Sequence, residues 1–403
     1  CCTGTVDFDP GPGTYTLGSA AGPAYSGTRD IFVSKMDASG NILWAKRMGD
    51  TTFHFATFGN HISVDAGGNV ITTGLFTGTV DFDPGAGVFN LSSPTNNGWR
   101  IFILKLDATG TFVWAKMIGG YYSGQTLSAA LDPSGNIVAA GRFQGTIDMD
   151  PGPGTVNFTS PNSIEKAFIL KLDAMGNFVF AKQWSATGIN SFGVIAWGVC
   201  LDATGNIYTA GGFSGTGDFD PGPGTYSLTA PQQSHFILKL DAAGNFVWAG
   251  KFGSGDPWGN YGLIAAGNDL YVTGTFMGTA DFDPGPGTYS LTVTGTPLIA
   301  FPHNQFILKL DLAGNFVWAK SIVSTAASNG VNIDLDVAGS LYAIGTFEGT
   351  ADLDPGPGVY TLTSNGFSDA FVLKLDAAGN LAWAEAIGGS GEEWPAQVSI
   401  GMN

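Results

Sequence analysis

One phrase, Asp-x-Asp-Pro-Gly-x-Gly, occurs six times along the 403 residues, beginning at Asp7, Asp81, Asp148, Asp218, Asp281 and Asp352. Each copy is followed by a segment close to Phe-Ile-Leu-Lys-Leu-Asp-Ala-Ala-Gly-Asn-Phe-Val-Trp-Ala-Lys, so a unit of 63 to 74 residues recurs along the whole chain. A repeat of this size is one supersecondary unit that cannot bury its apolar face alone and must stack on its neighbours. It also works against a single catalytic centre, because chemistry needs one asymmetric cluster and a repeat offers equivalent copies.

Within a unit the pattern is all β. The run from His61 to Phe76 is two strand-like stretches joined through Asp65-Ala-Gly-Gly-Asn69, and the run from Ile101 to Ile118 is two more joined through Asp107-Ala-Thr-Gly-Thr111. Related connections recur at Asp37, Asp132, Asp173, Asp202, Asp241, Asp311 and Asp376. Asp caps such a turn through its carboxylate and Gly takes the φ > 0 position. These aspartates therefore read as turn chemistry rather than ligands. Strands such as Phe236-Ile-Leu-Lys-Leu240 are apolar on both faces apart from the Lys, so both faces are covered. Four-stranded units covered on both sides and lacking distinct polar end caps predict a β-propeller. Aromatic residues at one place in the last strand, Trp44, Trp114, Trp248, Trp318 and Trp383 with Phe180 in the remaining unit, predict packing between blades.

Counting first strands near Ile62, Leu127, Val199, Leu263, Val331 and Val398 against third strands near Phe32, Phe102, Phe168, Phe236, Phe306 and Phe371 predicts one domain over residues 1–403. The expected fold is all-β, a six-bladed β-propeller of four-stranded antiparallel blades closed by strands from both termini. About nine residues of one second strand are unaccounted for at the seam. That leaves open a fragment of a longer chain, or seven blades completed by further sequence. Cys2 aligns with the position held by Phe76, Phe143, Phe213, Phe276 and Phe347, which favours a strand residue over a lipid-bearing terminal cysteine.

The composition of 61 Gly, 20 Pro and 29 Phe with only 12% charged residues, against ~25% in an average domain, fits a turn-rich, aromatic-packed protein. A net charge of −17 argues against nucleic acid, which calls for a basic face. Eleven of the basic residues fall at two repeat positions, Lys35, Lys105, Lys171, Lys239, Lys309 and Lys374, then Lys46, Lys116, Lys182, Lys251 and Lys320, and mark repeat geometry. Three cysteines define no disulfide pattern. No apolar run reaches transmembrane length, and export is an inference rather than a reading.

The segments DAFVLKLDAAGNLAWAEAIGG (Asp369 to Gly389) and GNIYTAGGFSGTGDFDPGPG (Gly205 to Gly224) resemble the SBBP-type β-propeller repeats of bacterial surface and secreted proteins. The likeness runs along essentially the whole chain. It implies a propeller at the cell surface or outside the cell, and no shared enzymatic activity.

The sixfold motif sets two carboxylates at i and i+2 before a turn, the beginning of a Ca²⁺ loop, although two acids fall short of the six to eight oxygens the ion takes. The candidate metal ligands are Asp7, Asp9, Asp81, Asp83, Asp148, Asp150, Asp218, Asp220, Asp281, Asp283, Asp352 and Asp354. The alternative is a tight reversal with the carboxylates on turn amides. The four histidines share no metal-ligand spacing, and neither a nucleophile elbow nor a phosphate loop is present. The loops from fourth to first strands are unlike one another and rich in aromatics. From these, Tyr121, Tyr122, Trp184, Trp258, Tyr261 and Trp394 are the candidate ligand-binding residues, suited to stacking on a glycan or packing against a protein. The alternative is that they fill the channel or pack between blades. Loops joining second and third strands are expected to form an opposite face. The expected function is non-catalytic binding or adhesion to a surface glycan or protein, with two rivals, a calcium-stabilised structural bead and a propeller hydrolase or lyase.

Overall fold

The computed structural model describes residues 5–18, 30–49, 57–93, 98–121, 124–160, 164–188, 193–254, 261–293, 303–393, 395 and 397–400. The chain divides into two compact units, Cys1–Gln183 and Trp184–Asn403. Both are built from antiparallel strands, with no helix among the described residues.

The local rules act first. Asp65 Oδ1 accepts the amides of Gly67 and Asn69, both at 2.9 Å, and Asn69 Nδ2 donates to Asp65 Oδ2 at 2.8 Å. The same network recurs at Asp37, Asp132, Asp173, Asp202, Asp241, Asp311 and Asp376. These are the turns that Asp and Asn build from their own side chains. They join first to second and third to fourth strands.

Four-stranded antiparallel blades follow. In the first unit, Thr57–Val64, Val70–Phe76, Arg100–Leu106 and Phe112–Tyr121 pair in order, after a preceding pair, Ile31–Met36 and Ile42–Met48. In the second, one blade is Val194–Leu201, Ile207–Asp218, Ser227–Leu240 and Phe246–Phe252. Two more follow, over Gly262–Ala266, Asp269–Met277, His303–Asp311 and Phe316–Ser324, then Ser328–Leu335, Leu341–Phe347, Asp369–Leu375 and Leu381–Ile387. The blade Gly124–Leu131, Ile137–Phe143, Lys166–Leu172 and Phe178–Ala186 belongs to the first unit up to Gln183. Second and third strands are buried on both faces, as their largely apolar runs predict.

Between second and third strands each motif forms a small hairpin of its own, such as Thr79–Asp81 with Asn90–Ser92, or Thr279–Asp281 with Ser290–Thr292. This hairpin docks on the end of the preceding blade's fourth strand. Gly119 pairs with Asp148, Ser185 with Asp218 and Val323 with Asp352. The connections from second to third strands thus leave the blade at the same end as those from fourth to first strands. The expected opposite face is corrected on this register, since an even number of antiparallel crossings returns the chain to the end it left.

Three of the fourth-strand tryptophans, Trp44, Trp114 and Trp248, bond to the neighbouring blade. Trp44 Nε1 and Lys35 Nζ both donate to the carbonyl of Ala108, at 3.3 and 3.2 Å. Trp248 Nε1 and Lys239 Nζ both donate to Leu312, at 3.3 and 2.9 Å. The accepting residue belongs to the next blade's turn, where Gly314, at φ +89°, lies 3.1 Å from the Trp248 ring at the place a Cβ would fill. Glycine there serves both the left-handed backbone and the close approach.

Candidate functional site

The sixfold motif is built the same way in every copy. The first Asp turns Oδ1 onto the amide of the second Asp (3.0–3.1 Å) and onto the amide eight residues ahead (2.8–2.9 Å). The second Asp accepts the first glycine's amide at 2.7–2.8 Å, and its other oxygen sits where the last glycine's Cβ would be. Hydrogen bonds to the charged form lower a carboxyl pKa. The amides of Tyr15 and Asp9 hold Asp7 below the usual carboxylate range in this way.

The residue between the two aspartates carries the motif's packing. Phe82, Met149, Phe219, Phe282 and Leu353 are all fully buried. Phe282 lies 5.2 Å from Phe276 and 5.0 Å from Phe306, ring centre to ring centre. In the repeated phrase this position reads only as x. The signal was its restriction to Phe, Met and Leu between two acids. Among the described residues, no three His, Cys, Asp or Glu side chains gather as a metal site.

The aromatic candidates are not brought together as a platform. Trp184 is 3% exposed and meets Phe236 edge-on, because its strand continues through Ala186 and carries it into the blade. Tyr261 is 7% exposed, and its hydroxyl is hydrogen-bonded to His235 Nδ1. Both are core residues, closed to a ligand. The backbone of Tyr121 pairs with Thr146 at a strand end. Tyr122, Trp258 and Trp394 lie outside the described residues.

What differs from blade to blade at the loop end is the residue two places before the third-strand phenylalanine: Asp30, Arg100, Lys166, Ser234, Asn304 and Asp369. All but Lys166 are buried. Asp30 is paired with Arg47 at 3.4 Å, Arg100 donates to the Trp99 carbonyl at 3.1 Å, and Lys166 donates to the Thr159 carbonyl at 2.9 Å. Nearby, Arg142 and Glu165 pair at 2.7 Å, with burial pushing the Glu165 carboxyl up against the pull of the guanidinium. At the adjoining position in another blade, His235 is fully buried, and burial lowers its pKa to about 4. The loop end also carries Phe367, 63% exposed. The buried Cys200 thiol is pushed up by burial, which opposes the thiolate that nucleophilic chemistry needs.

The chain is similar to an uncharacterized WD repeat-containing protein of Acanthamoeba polyphaga mimivirus, 25% identical in an alignment 344 residues long that covers 71% of this chain and 24% of the viral protein. It therefore spans about a quarter of that relative's length. No protein-family model matches the chain. Its four-stranded antiparallel blades and this likeness give it the β-propeller fold. No helix among the described residues is long and apolar enough to cross a membrane.

Proposed function

We propose that this chain is a non-catalytic binding module that holds a protein partner at the loop end of its blades. One observation carries the reading. The polar residues that recur in every repeat are engaged in turns and blade-to-blade contacts, while the loops between fourth and first strands differ in sequence and length from blade to blade. Binding specificity needs such asymmetry, which the framework positions lack. The viral relative's description as a WD repeat protein agrees with an interaction role. A glycan partner, resting on the aromatic loops, has less support with Trp184 and Tyr261 in the core. The bacterial surface or extracellular setting implied by the resemblance belongs to the same proposal.

The test is site-specific photocrosslinking in cells that make the parent protein. A crosslinker at Phe367 at the loop end is compared with one at Val337, 81% exposed on the turn end of the same blade. Saturable crosslinks to one partner from Phe367 alone support the reading. Equal labelling from both ends, or none, overturns it.

The second reading is a calcium-stabilised structural bead, favoured by the six Asp pairs. Their amide-filled geometry works against it, because N–H groups directed at the carboxylates compete with a cation for the same lone pairs. Unfolding midpoints in calcium chloride and in EGTA, read in the chain carrying Glu393→Gln, decide it. An unchanged midpoint removes the reading.

A further inference from the structure

Asp369 opens the third strand of the last blade, Asp369–Leu375, and its side chain is fully buried. Its Oδ2 accepts the Asn365 amide at 2.9 Å, while Oδ1 is buried with no hydrogen-bond partner. Among the described residues no lysine, arginine or histidine forms an ion pair with it. A buried carboxylate without a compensating charge is strongly destabilising.

The protein supplies its own comparison. Asp30 holds the same place in the first described blade, where it is paired with Arg47 at 3.4 Å. Arg47 stands opposite Phe32 in the strand register. In the last blade the residue opposite the matching Phe371 is Ala386. One blade therefore carries its counter-ion, and the other has an alanine in its place.

A second orphaned carboxylate oxygen lies at the same corner. Glu393 donates its amide to the Ser368 carbonyl at 3.1 Å and accepts the Gly389 amide on Oε1 at 3.3 Å, leaving Oε2 buried and unpartnered. Gly388, next in the chain to Gly389, packs directly on the Asp369 carboxyl group. The carbonyls of Gly389 and Gly391 converge beside Gly366, the neighbour of Asn365. The surroundings are acidic, with Glu392 bridged to Ser368 and Glu348 close enough for Glu392 to raise its pKa and His303 to lower it, after burial.

We propose that this corner binds one calcium-class divalent cation, with Asp369 Oδ1 and Glu393 Oε2 as its carboxylate ligands and water and nearby carbonyls completing the shell. Hard oxygen donors without thiol or imidazole suit Ca²⁺, whose six to eight ligands tolerate an irregular loop better than the octahedron Mg²⁺ requires. The ion replaces the guanidinium that Arg47 supplies to Asp30, and it fastens the loop Gly388–Glu393 to the head of the third strand.

The experiment titrates calcium chloride alone into the full chain and counts bound metal after desalting, in parallel with Asp369→Asn, Glu393→Gln and Ala386→Arg. Each variant is checked for native circular dichroism. Glu393, only half-buried, gives the variant that folds most readily. Each of the three is expected to lose one Ca²⁺ per chain relative to the parent, with at least tenfold weaker binding at that site. Ala386→Arg does so by restoring the internal cation. Asp281→Asn, in the repeated motif, leaves this equivalent in place, which separates the corner from any metal on the six hairpins. The proposal is overturned if the parent binds no calcium, or if Glu393→Gln and Ala386→Arg bind as many ions as the parent with the same affinity.

Discussion

Replacing Phe282 with Ala tests whether the sixfold motif is a packing device whose acids serve the backbone. Phe282 is fully buried, with Phe276, Phe306 and Phe252 around it at 5.2, 5.0 and 6.1 Å between ring centres. Truncating such a ring removes roughly 150 Å² of buried apolar area, about 4 kcal/mol at ~25 cal/mol per Å², within the ~3–5 kcal/mol measured for buried Phe→Ala changes. The paired variant Asp283→Ala loses one partly solvated bond to the Gly285 amide, a loss of about 1 kcal/mol. Urea unfolding of the full chain, followed by tryptophan fluorescence, reads both. With an m-value of about 2 kcal/mol per M, the midpoint falls by about 2 M for Phe282→Ala and by about 0.5 M for Asp283→Ala. If the order reverses, and Phe282→Ala costs less than about 1 kcal/mol, the aspartates carry the motif and the packing argument fails.

Four further outcomes follow from the same geometry. His235 is fully buried with its pKa at about 4, against 6.5 when unfolded. The unfolded chain therefore binds the extra proton, stability is complete above pH 6.5, and it is lost as pH falls toward 4. Between pH 7 and pH 5 this is about 2 kcal/mol, and His235→Gln should flatten the dependence in urea titrations at the two pH values. Trp248→Phe removes the bond to Leu312 while leaving Lys239 on the same carbonyl, a loss of about 1 kcal/mol beyond the ring packing given up. In contrast, the Trp318 Nε1 is buried without a partner, so Trp318→Phe loses ring packing alone and should cost about 1 kcal/mol less than Trp248→Phe in the same denaturant assay. Gly87→Ala sets a methyl on Asp83 Oδ2 and should lower stability by about 1–3 kcal/mol, read as a fall in the thermal midpoint.

The turns were legible because their chemistry is local: Asp65, Gly68 and Asn69 lie within five residues and form their network without help from the rest of the fold. The interblade role of Trp44, Trp114 and Trp248 was legible because one residue type at one repeat position meets the carbonyl of the next blade's turn in all three. The motif hairpin was not, since three-residue strands such as Thr79–Asp81 are too short to show a period and are held by a strand of the preceding blade. Trp184 and Tyr261 were misplaced for a related reason. Whether an aromatic after the fourth strand lies in a loop or in the core depends on how far that strand continues. Pairing of Ser185 with Asp218, not local propensity, decides this for Trp184.

A repeat therefore concentrates its information where it fails to repeat. Every recurrent carboxylate described in the hairpins and turns faces an amide or an asparagine within its own blade, so it answers the same structural need each time and carries nothing particular to one blade. The position two places before the third-strand phenylalanine is different in kind. It is buried in every blade but that of Lys166, so a charge there must be answered locally, and the answers diverge: a guanidinium for Asp30, a backbone carbonyl for Arg100, and only one amide for Asp369. An unanswered buried charge costs stability unless something outside the chain completes it. The blade least satisfied by its own sequence is thus the one most able to couple stability to an external ion. That coupling places the calcium corner beside Phe367, on the same loop end to which the partner is assigned.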